Sequence, residues 1–202
     1  MTLELMDLPA DPGQLMQEWF DDARDNSGQE NHNAMMLATV DADGRPSVRT
    51  VLRKAFDPAA CVVTFYTNYN SRKGRAIEAN PNVAINMHWD ALEKQLRIEG
   101  RAVKVSAATS DAYFATRPRE SQVGAWASDQ SEPLDSFGTL IGKALIVANE
   151  YAGRDIPRPP HWGGYDVTPE SIEFWQGGSG RVHQRVRYGR SDGGWNAEWL
   201  NP

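Results

Sequence analysis

Apolar positions recur at two different spacings along the 202-residue chain, and the change of spacing divides it into elements. Leu15, Met16, Trp19, Phe20 and Ala23 fall at helical intervals. They follow Asp11-Pro12-Gly13-Gln14, which reads as an N-cap, a proline at the first helical position and a glutamine three residues on from the cap. Ala34 to Val40 and Pro46 to Arg53, joined around Asp43-Gly44, read as a β-hairpin. Residues 61–67 form a third strand. Asn70 or Ser71 caps a short helix that ends near Asn80-Pro81. Residues 82–88 and 94–105 read as strands. Ser106 caps a helix through Tyr113 and Phe114, and residues 135–150 are helical. Arg154 to Pro160 is a proline-rich loop. Strands at 164–168, 171–176, 181–190 and 194–199 follow. Many closely spaced strands with few helices predict a mainly β, α+β fold: an antiparallel barrel with peripheral helices.

Composition narrows the class without changing it. Hydrophobic residues make up 40% and charged residues 24%, near globular averages. The length suits one domain, residues 1–202, with residues 1–10 expected to be a mobile N-terminal segment. Cys61 stands alone, so no internal disulfide is possible, and a small core residue is its simplest role. No apolar run reaches membrane length, and the acidic Met1 to Asp7 lacks the positive charge of a signal peptide. A cytoplasmic protein is expected. The net charge of −6 argues against a general nucleic-acid partner. Its distribution is uneven. Residues 1–30 hold eight acids and one base, whereas residues 45–75 hold seven bases and one acid. A basic island on an acidic chain suits a small anionic ligand.

Three groups of residues carry chemistry. Ser71-Arg72-Lys73 follows a strand and opens a helix, where unpaired N–H groups, a hydroxyl and two cations suit a phosphate. A capped helix with basic surface residues fits the same pattern. Arg49 on the hairpin could add a second guanidinium. Arg49 and Lys54 have opposite parity on a regular strand, so they share a cleft only if the strand bulges or ends between them. Tyr113 and Arg117 lie four apart on a helix face, and Ser121 stands just past Pro118, which is a second phosphate clamp or ordinary core and surface. In a strand over 181–190, Arg181, His183 and Arg185 share one face. Such a face fits an anion or an electron-rich ring between the charges, or a solvated edge. The histidines lack metal spacing, and no dinucleotide-binding glycine motif follows a strand.

From about Asp7 to Pro202 the chain resembles the pyridoxine/pyridoxamine 5′-phosphate oxidase family. The resemblance is carried by Leu8-Pro9-Ala10-Asp11-Pro12, Arg49 to Lys54, Phe65 to Asn68, Ser71-Arg72-Lys73, Arg117 to Trp126, Gln130-Ser131, Trp162-Gly163-Gly164, Ile172 to Gly177, and Arg181-x-His183-x-Arg185. It implies a split β-barrel that binds FMN and acts as a homodimer with sites at the interface. By position it places Arg49, Ser71, Arg72 and Lys73 at the FMN phosphate, with Tyr66, Thr67 and Lys54 nearby. Val51, Leu52, Gln95, Gln130, Ser131, Trp175 and Arg185 complete the flavin site, partly from the other subunit. Lys54, Tyr113, Arg117 and Ser121 bind the substrate phosphate. Arg181 and His183 bracket the pyridine ring as catalytic residues.

The implied reaction is hydride transfer from the substrate C4′ to flavin N5, with O2 reoxidising the flavin to give H2O2 and pyridoxal 5′-phosphate as product. Two departures stand out. The short N-terminus is acidic where the family has a basic arm over the site. The usual Asp-Pro-x-Ala-Met reads Asn31-His32-Asn33-Ala34-Met35. Three alternatives remain: a related flavin oxidase such as the phenazine-pathway relatives, a non-enzymatic FMN or pyridoxal-phosphate binder, and an RNA-binding barrel using Tyr66 and Tyr69.

Overall fold

The structure, a computed structural model, describes residues 8–202. Met1 to Asp7, including the acidic arm, lie outside the described residues. The first helix, α1 (Pro12–Asn26), is capped by the Asp11 carboxylate, which accepts from the Gly13 N–H at 2.8 Å. Gln14 turns to Glu18 instead of back to the cap, so no reciprocal capping box forms. The apolar stripe predicted for α1 is buried: Leu15, Met16, Trp19, Phe20 and Ala23 all enter the main core. Within the segment expected to be mobile, residues 8–9 contact the rest of the fold. Leu8 packs on the core, and the Pro9 carbonyl accepts from the Tyr188 hydroxyl at 3.1 Å.

The described residues form a nine-stranded antiparallel sheet. Its strands are β1 (Ala34–Val40), β2 (Pro46–Leu52), β3 (Ala55–Asp57), β4 (Val62–Asn68), β5 (Asn82–Trp89), β6 (Lys94–Lys104), β7 (Trp162–Gln176), β8 (Gln184–Ser191) and β9 (Gly194–Trp199). The order is β2-β1-β5-β6-β7-β4-β3, with β8 and β9 continuing from β7. The long β7 joins the two parts. Its first half pairs with β4 and its second with β8, while β6 runs along both. One face of each strand lines the core, as the alternating burial of β1, β5 and β6 shows. α1 closes that core edge-on, with Trp19 5.1 Å from Phe174 and Phe20 6.2 Å from Trp89. Burying each such side chain contributes about 1.5–3 kcal/mol.

The remaining helices are α2 (Arg72–Ala79), α3 (Ala107–Ala115), α4 (Arg119–Ala127) and α5 (Phe137–Glu150). α3, α4 and the loop before β7 enclose a second core of Phe114, Val123, Ile156 and Trp162. None of the helices among the described residues is long and apolar enough to cross a membrane.

Three expectations change. Strands 164–168 and 171–176 are one strand, because Pro169 falls at a register shift opposite Glu99 and Gly100, where a missing N–H costs the ladder little. Gly100 permits the close approach: a Cβ there would meet the Thr168 carbonyl oxygen at 2.2 Å. The three-residue β3 was too short to read. The strand expected over 181–190 begins only at Gln184. Residues 179–181 form a single 3-10 turn, with Gly180 and Arg181 at φ 65° and 64°.

Candidate active site

Alternation on β2 turns Ser47, Arg49 and Val51 toward the core side, and Val48 and Thr50 outward. The inward Arg49 guanidinium is held by the protein. Nη1 donates to the Leu37 carbonyl and the Thr39 hydroxyl, each at 2.9 Å, and Nη2 donates to the Ser47 hydroxyl at 2.5 Å. The Ser71 hydroxyl caps α2 by accepting from the Gly74 N–H at 3.3 Å. Gly74 is required because a Cβ there would lie 2.0 Å from the Tyr69 carbonyl oxygen. Lys73 is buried in the first turn of α2. Its ammonium donates to Gln130 Oε1 at 2.9 Å, to Thr67 Oγ1 at 3.1 Å and to Ser71 Oγ at 3.3 Å.

Lys73 feels the charge of Arg49, and Arg49 feels that of Arg72. Burial, and then Arg49, push the Lys73 ammonium down to about 8. Burial, and then Arg72, lower Arg49. Every partner found for Arg49 and Lys73 is a neutral oxygen. A basic cluster of this kind at a helix N-terminus, with hydroxyls and no carboxylate, fits a phosphate dianion. The structure therefore brings together Arg49, Thr67, Ser71, Arg72, Lys73 and Gln130. Ser131 follows in the exposed turn at φ 77°.

β2 ends at Leu52, so the parity conflict between Arg49 and Lys54 disappears: Lys54 is exposed past the end of the strand. Val51 packs on the core and Leu52 is half-buried beside it.

A second cluster lies around Trp162. The Tyr66 and Tyr113 rings stack at 3.9 Å, and Tyr66 stacks on Trp162 at 5.5 Å. The Arg117 guanidinium sits over Trp162 at 4.5 Å. Helix α3 ends at Ala115, so Arg117 reaches this cluster from the link to α4 and not from the Tyr113 helix face, as the four-residue spacing suggested. Arg117 Nη1 is buried with no hydrogen-bond partner among the described residues. Burial lowers its pKa, partly opposed by Tyr113. A half-buried guanidinium with a buried unpaired donor atom beside a phenol has the chemistry to take an anionic oxygen. Ser121 lies in the first turn of α4, half-buried. Trp162 was not singled out, although it stands in a quoted motif; its stacking partners are distant in sequence.

The third group departs most from the expected geometry. Arg181 lies outside the strand, exposed and in left-handed backbone, so it does not alternate with His183 and Arg185. His183 reaches the next group from the turn: its ring is 4.7 Å from Trp175, and Nδ1 accepts from the Gly178 N–H at 3.3 Å. That bond leaves the neutral ring's proton on Nε2. Gln95, Trp175 and Arg185 are successive register partners on β6, β7 and β8, and all three point away from the core. They therefore project from the face opposite Arg49.

Cys61 is buried, and its thiol is pushed up to about 12, first by burial and then by Asp11. It is not a thiolate nucleophile. Asn31, at the departed motif, uses its carbonyl to accept from the Ala34 N–H at 2.9 Å.

The curled antiparallel sheet forms a half-barrel that carries two separate cationic clusters, one around Arg49 and Lys73 and one around Arg117. Residues 26–146 match the family described as pyridoxamine 5′-phosphate oxidase, and residues 162–202 match the pyridoxine 5′-phosphate oxidase C-terminal dimerisation region. A pyridoxine/pyridoxamine 5′-phosphate oxidase from Rubrobacter xylanophilus is 52% identical over 96% of this chain and 88% of its own. One from Sphingopyxis alaskensis is 50% identical over 100% of this chain and 91% of its own. The crystal structure of PhzG from Burkholderia lata, in complex with tetrahydrophenazine-1-carboxylic acid, superposes with a TM-score of 0.92 at 31% identity, covering 100% of this chain and 98% of that one. A pyridoxamine 5′-phosphate oxidase-related, FMN-binding protein from Nostoc punctiforme shares the fold, with a TM-score of 0.75 at 20% identity over 98% and 100%. The chain belongs to the pyridoxamine 5′-phosphate oxidase family and is an oxidoreductase.

Proposed function

We propose that this protein oxidises pyridoxine 5′-phosphate or pyridoxamine 5′-phosphate to pyridoxal 5′-phosphate, with FMN as cofactor and O2 as acceptor. The observation that carries the reading is the pair of separate phosphate clusters, one around Arg49, Arg72 and Lys73 and one around Tyr113 and Arg117. A phosphorylated cofactor and a phosphorylated substrate need one each. Bound FMN would supply the two-electron acceptor for oxidation at the substrate C4′, and O2 is reduced to H2O2; with the amine substrate the imine so formed takes up water and releases ammonia to give the aldehyde.

The protein's own contribution is binding, orientation and charge. Arg49, Ser71, Arg72 and Lys73 hold the FMN phosphate, with Thr67 alongside and Lys54 at the rim, while the Tyr66 ring, expected beside Thr67, stacks on Tyr113 and Trp162 in the second cluster instead. Tyr113, Arg117 and Ser121, with Lys54, hold the substrate phosphate. Arg181 and His183 come to the substrate ring from the turn before β8. Arg181 stabilises negative charge that develops on that ring. His183 presents Nε2–H as a hydrogen-bond donor, which makes orientation its role.

Gln95, Trp175 and Arg185 lie on the opposite sheet face from Arg49, so one chain does not surround a flavin. Two copies packed through that outer face complete the site, and the C-terminal dimerisation match over residues 162–202 supports this arrangement. The face carries Met36, Ala38 and Ala84 beside Val48, which is 66% exposed.

Peroxide production tests the reading. Turnover with pyridoxine 5′-phosphate or pyridoxamine 5′-phosphate, and none with unphosphorylated pyridoxine, is expected. Turnover only with an unphosphorylated carboxylated ring, the kind of ligand bound in the Burkholderia lata structure, would replace it.

A further inference from the structure

Glu173 is the one carboxylate-bearing residue in the buried interior among the described residues, at 7% exposed. It sits on β7 between the core residues Ile172 and Phe174, yet points to the outer face. There it stands in register with Arg97 on β6 and Arg187 on β8. Oε1 accepts from Arg185 Nε at 2.8 Å, and Nη2 of the same guanidinium lies 2.8 Å from that oxygen as an ion pair, so one edge of Arg185 faces a single carboxylate oxygen. Oε2 accepts from Arg97 Nη1 at 2.9 Å. The other edge of Arg185 is held by the C-terminal chain. Nη1 donates to the Asn201 carbonyl, and the Leu200 N–H donates to the Arg185 carbonyl, each at 2.9 Å. Arg185 is thus fixed on two edges, while its side chain stays 25% exposed beside Trp175.

We infer that Glu173 is a positioning residue, which fixes the Arg185 guanidinium at the angle where it meets the flavin and balances its charge against Arg97. The inference rests on the reading of Arg185 as a flavin-site residue. An arginine left to itself on a sheet face samples many rotamers, and binding would have to order it. A buried carboxylate with two guanidiniums also costs desolvation, and replacing such a group is often neutral for stability. The cost is explained if Arg185 must be held in one orientation. The third member, Arg97, keeps Oε2 occupied and stops Glu173 from rotating away.

A double-mutant cycle on the full-length protein separates positioning from mere support, with FMN dissociation measured by flavin fluorescence and the bound flavin absorption spectrum recorded alongside. Glu173→Gln is expected to weaken FMN about tenfold and to shift the bound flavin band, and in an Arg185→Ala background it is expected to add no further loss. Glu173→Asp, which keeps the charge with a shorter reach, is expected to show a smaller loss that also vanishes in that background. It serves in place of the Gln variant should that one not fold. An equal loss in both backgrounds would make Glu173 a structural ion partner and overturn the inference. So would unchanged FMN binding in Glu173→Gln alongside a weakened Arg185→Ala, which would leave the flavin reading intact. Unchanged FMN binding in Arg185→Ala itself would remove both the inference and the place of Arg185 in the flavin site.

Discussion

The Lys73 ammonium lies 2.9 Å from the Gln130 side-chain oxygen, 57 residues further along the chain. That bond ties the N-terminus of α2 to the turn after α4, and so links the basic island to a residue that also bonds Thr67 at 3.2 Å. Among the described residues, the hydrogen bonds found for Arg49 and Lys73 all go to neutral oxygens.

Removing two of those charges gives the first prediction. Arg72→Ala with Lys73→Ala should weaken FMN by roughly 3 kcal/mol or more, since each charge-assisted hydrogen bond contributes about 1.5–3 kcal/mol. Fluorescence titration with FMN measures it, and unchanged affinity would remove this cluster from the flavin phosphate.

The depressed Lys73 pKa gives the second. In the ligand-free protein the charged form is disfavoured, with a pKa of about 8 against an ordinary 10.5. Between these values the unfolded chain binds more protons than the folded one, so this group adds stability as pH rises through that window. The penalty is fully present below the folded value. A phosphate dianion prefers the ammonium, so FMN affinity should fall as pH rises from 7 to 9. Lys73→Met should flatten both trends, in thermal melts and in FMN titrations. A melting profile that keeps the wild-type pH slope would assign it to other groups.

Arg117 and Arg181 should separate binding from catalysis. Arg117→Ala empties the guanidinium over Trp162 and should raise KM for the phosphorylated substrate, with FMN content unchanged. Arg181→Ala should lower kcat/KM by ~10²-fold, about 2.7 kcal/mol of transition-state stabilisation, with FMN content near normal. Because Arg181 has φ 64°, Arg181→Gly is the matching control: it removes the guanidinium while relieving the backbone. Both variants should be equally slow. Wild-type turnover in either would make the turn a solvated surface.

Much of the fold was legible from periodicity, because the core is one-sided on nearly every strand. Met35 and Leu37 alternate with half-buried neighbours, and Leu15 to Ala23 keep helical spacing; local pattern decides such elements. Register was not legible. Residues 164–168 and 171–176 read as separate strands, whereas β7 runs through Pro169 at a register shift opposite Glu99 and Gly100, and only the pairing shows it. Arg181 was assigned to a strand because Arg, His and Arg alternate, whereas the positive φ at Gly180 and Arg181 ends that alternation. The phosphate cluster could be read from Ser71-Arg72-Lys73 because a helix N-terminus is a local feature. Glu173 and Trp162 could not, since their meaning lies in Arg97, Arg185, Tyr66 and Arg117, all distant in sequence.

The opposite facing of Arg49 and Arg185 makes the central claim, a flavin site shared by two chains, directly measurable. One variant carries Arg49→Ala and Arg72→Ala, and the other carries Trp175→Ala and Arg185→Ala. Each should hold little FMN by itself. Co-expressed with different affinity tags and purified as mixed dimers, they should hold about one FMN per dimer and recover turnover, because one of the two sites then takes its phosphate cluster and its ring contacts from undamaged copies. Mixed dimers as empty and inactive as either parent would contradict the account.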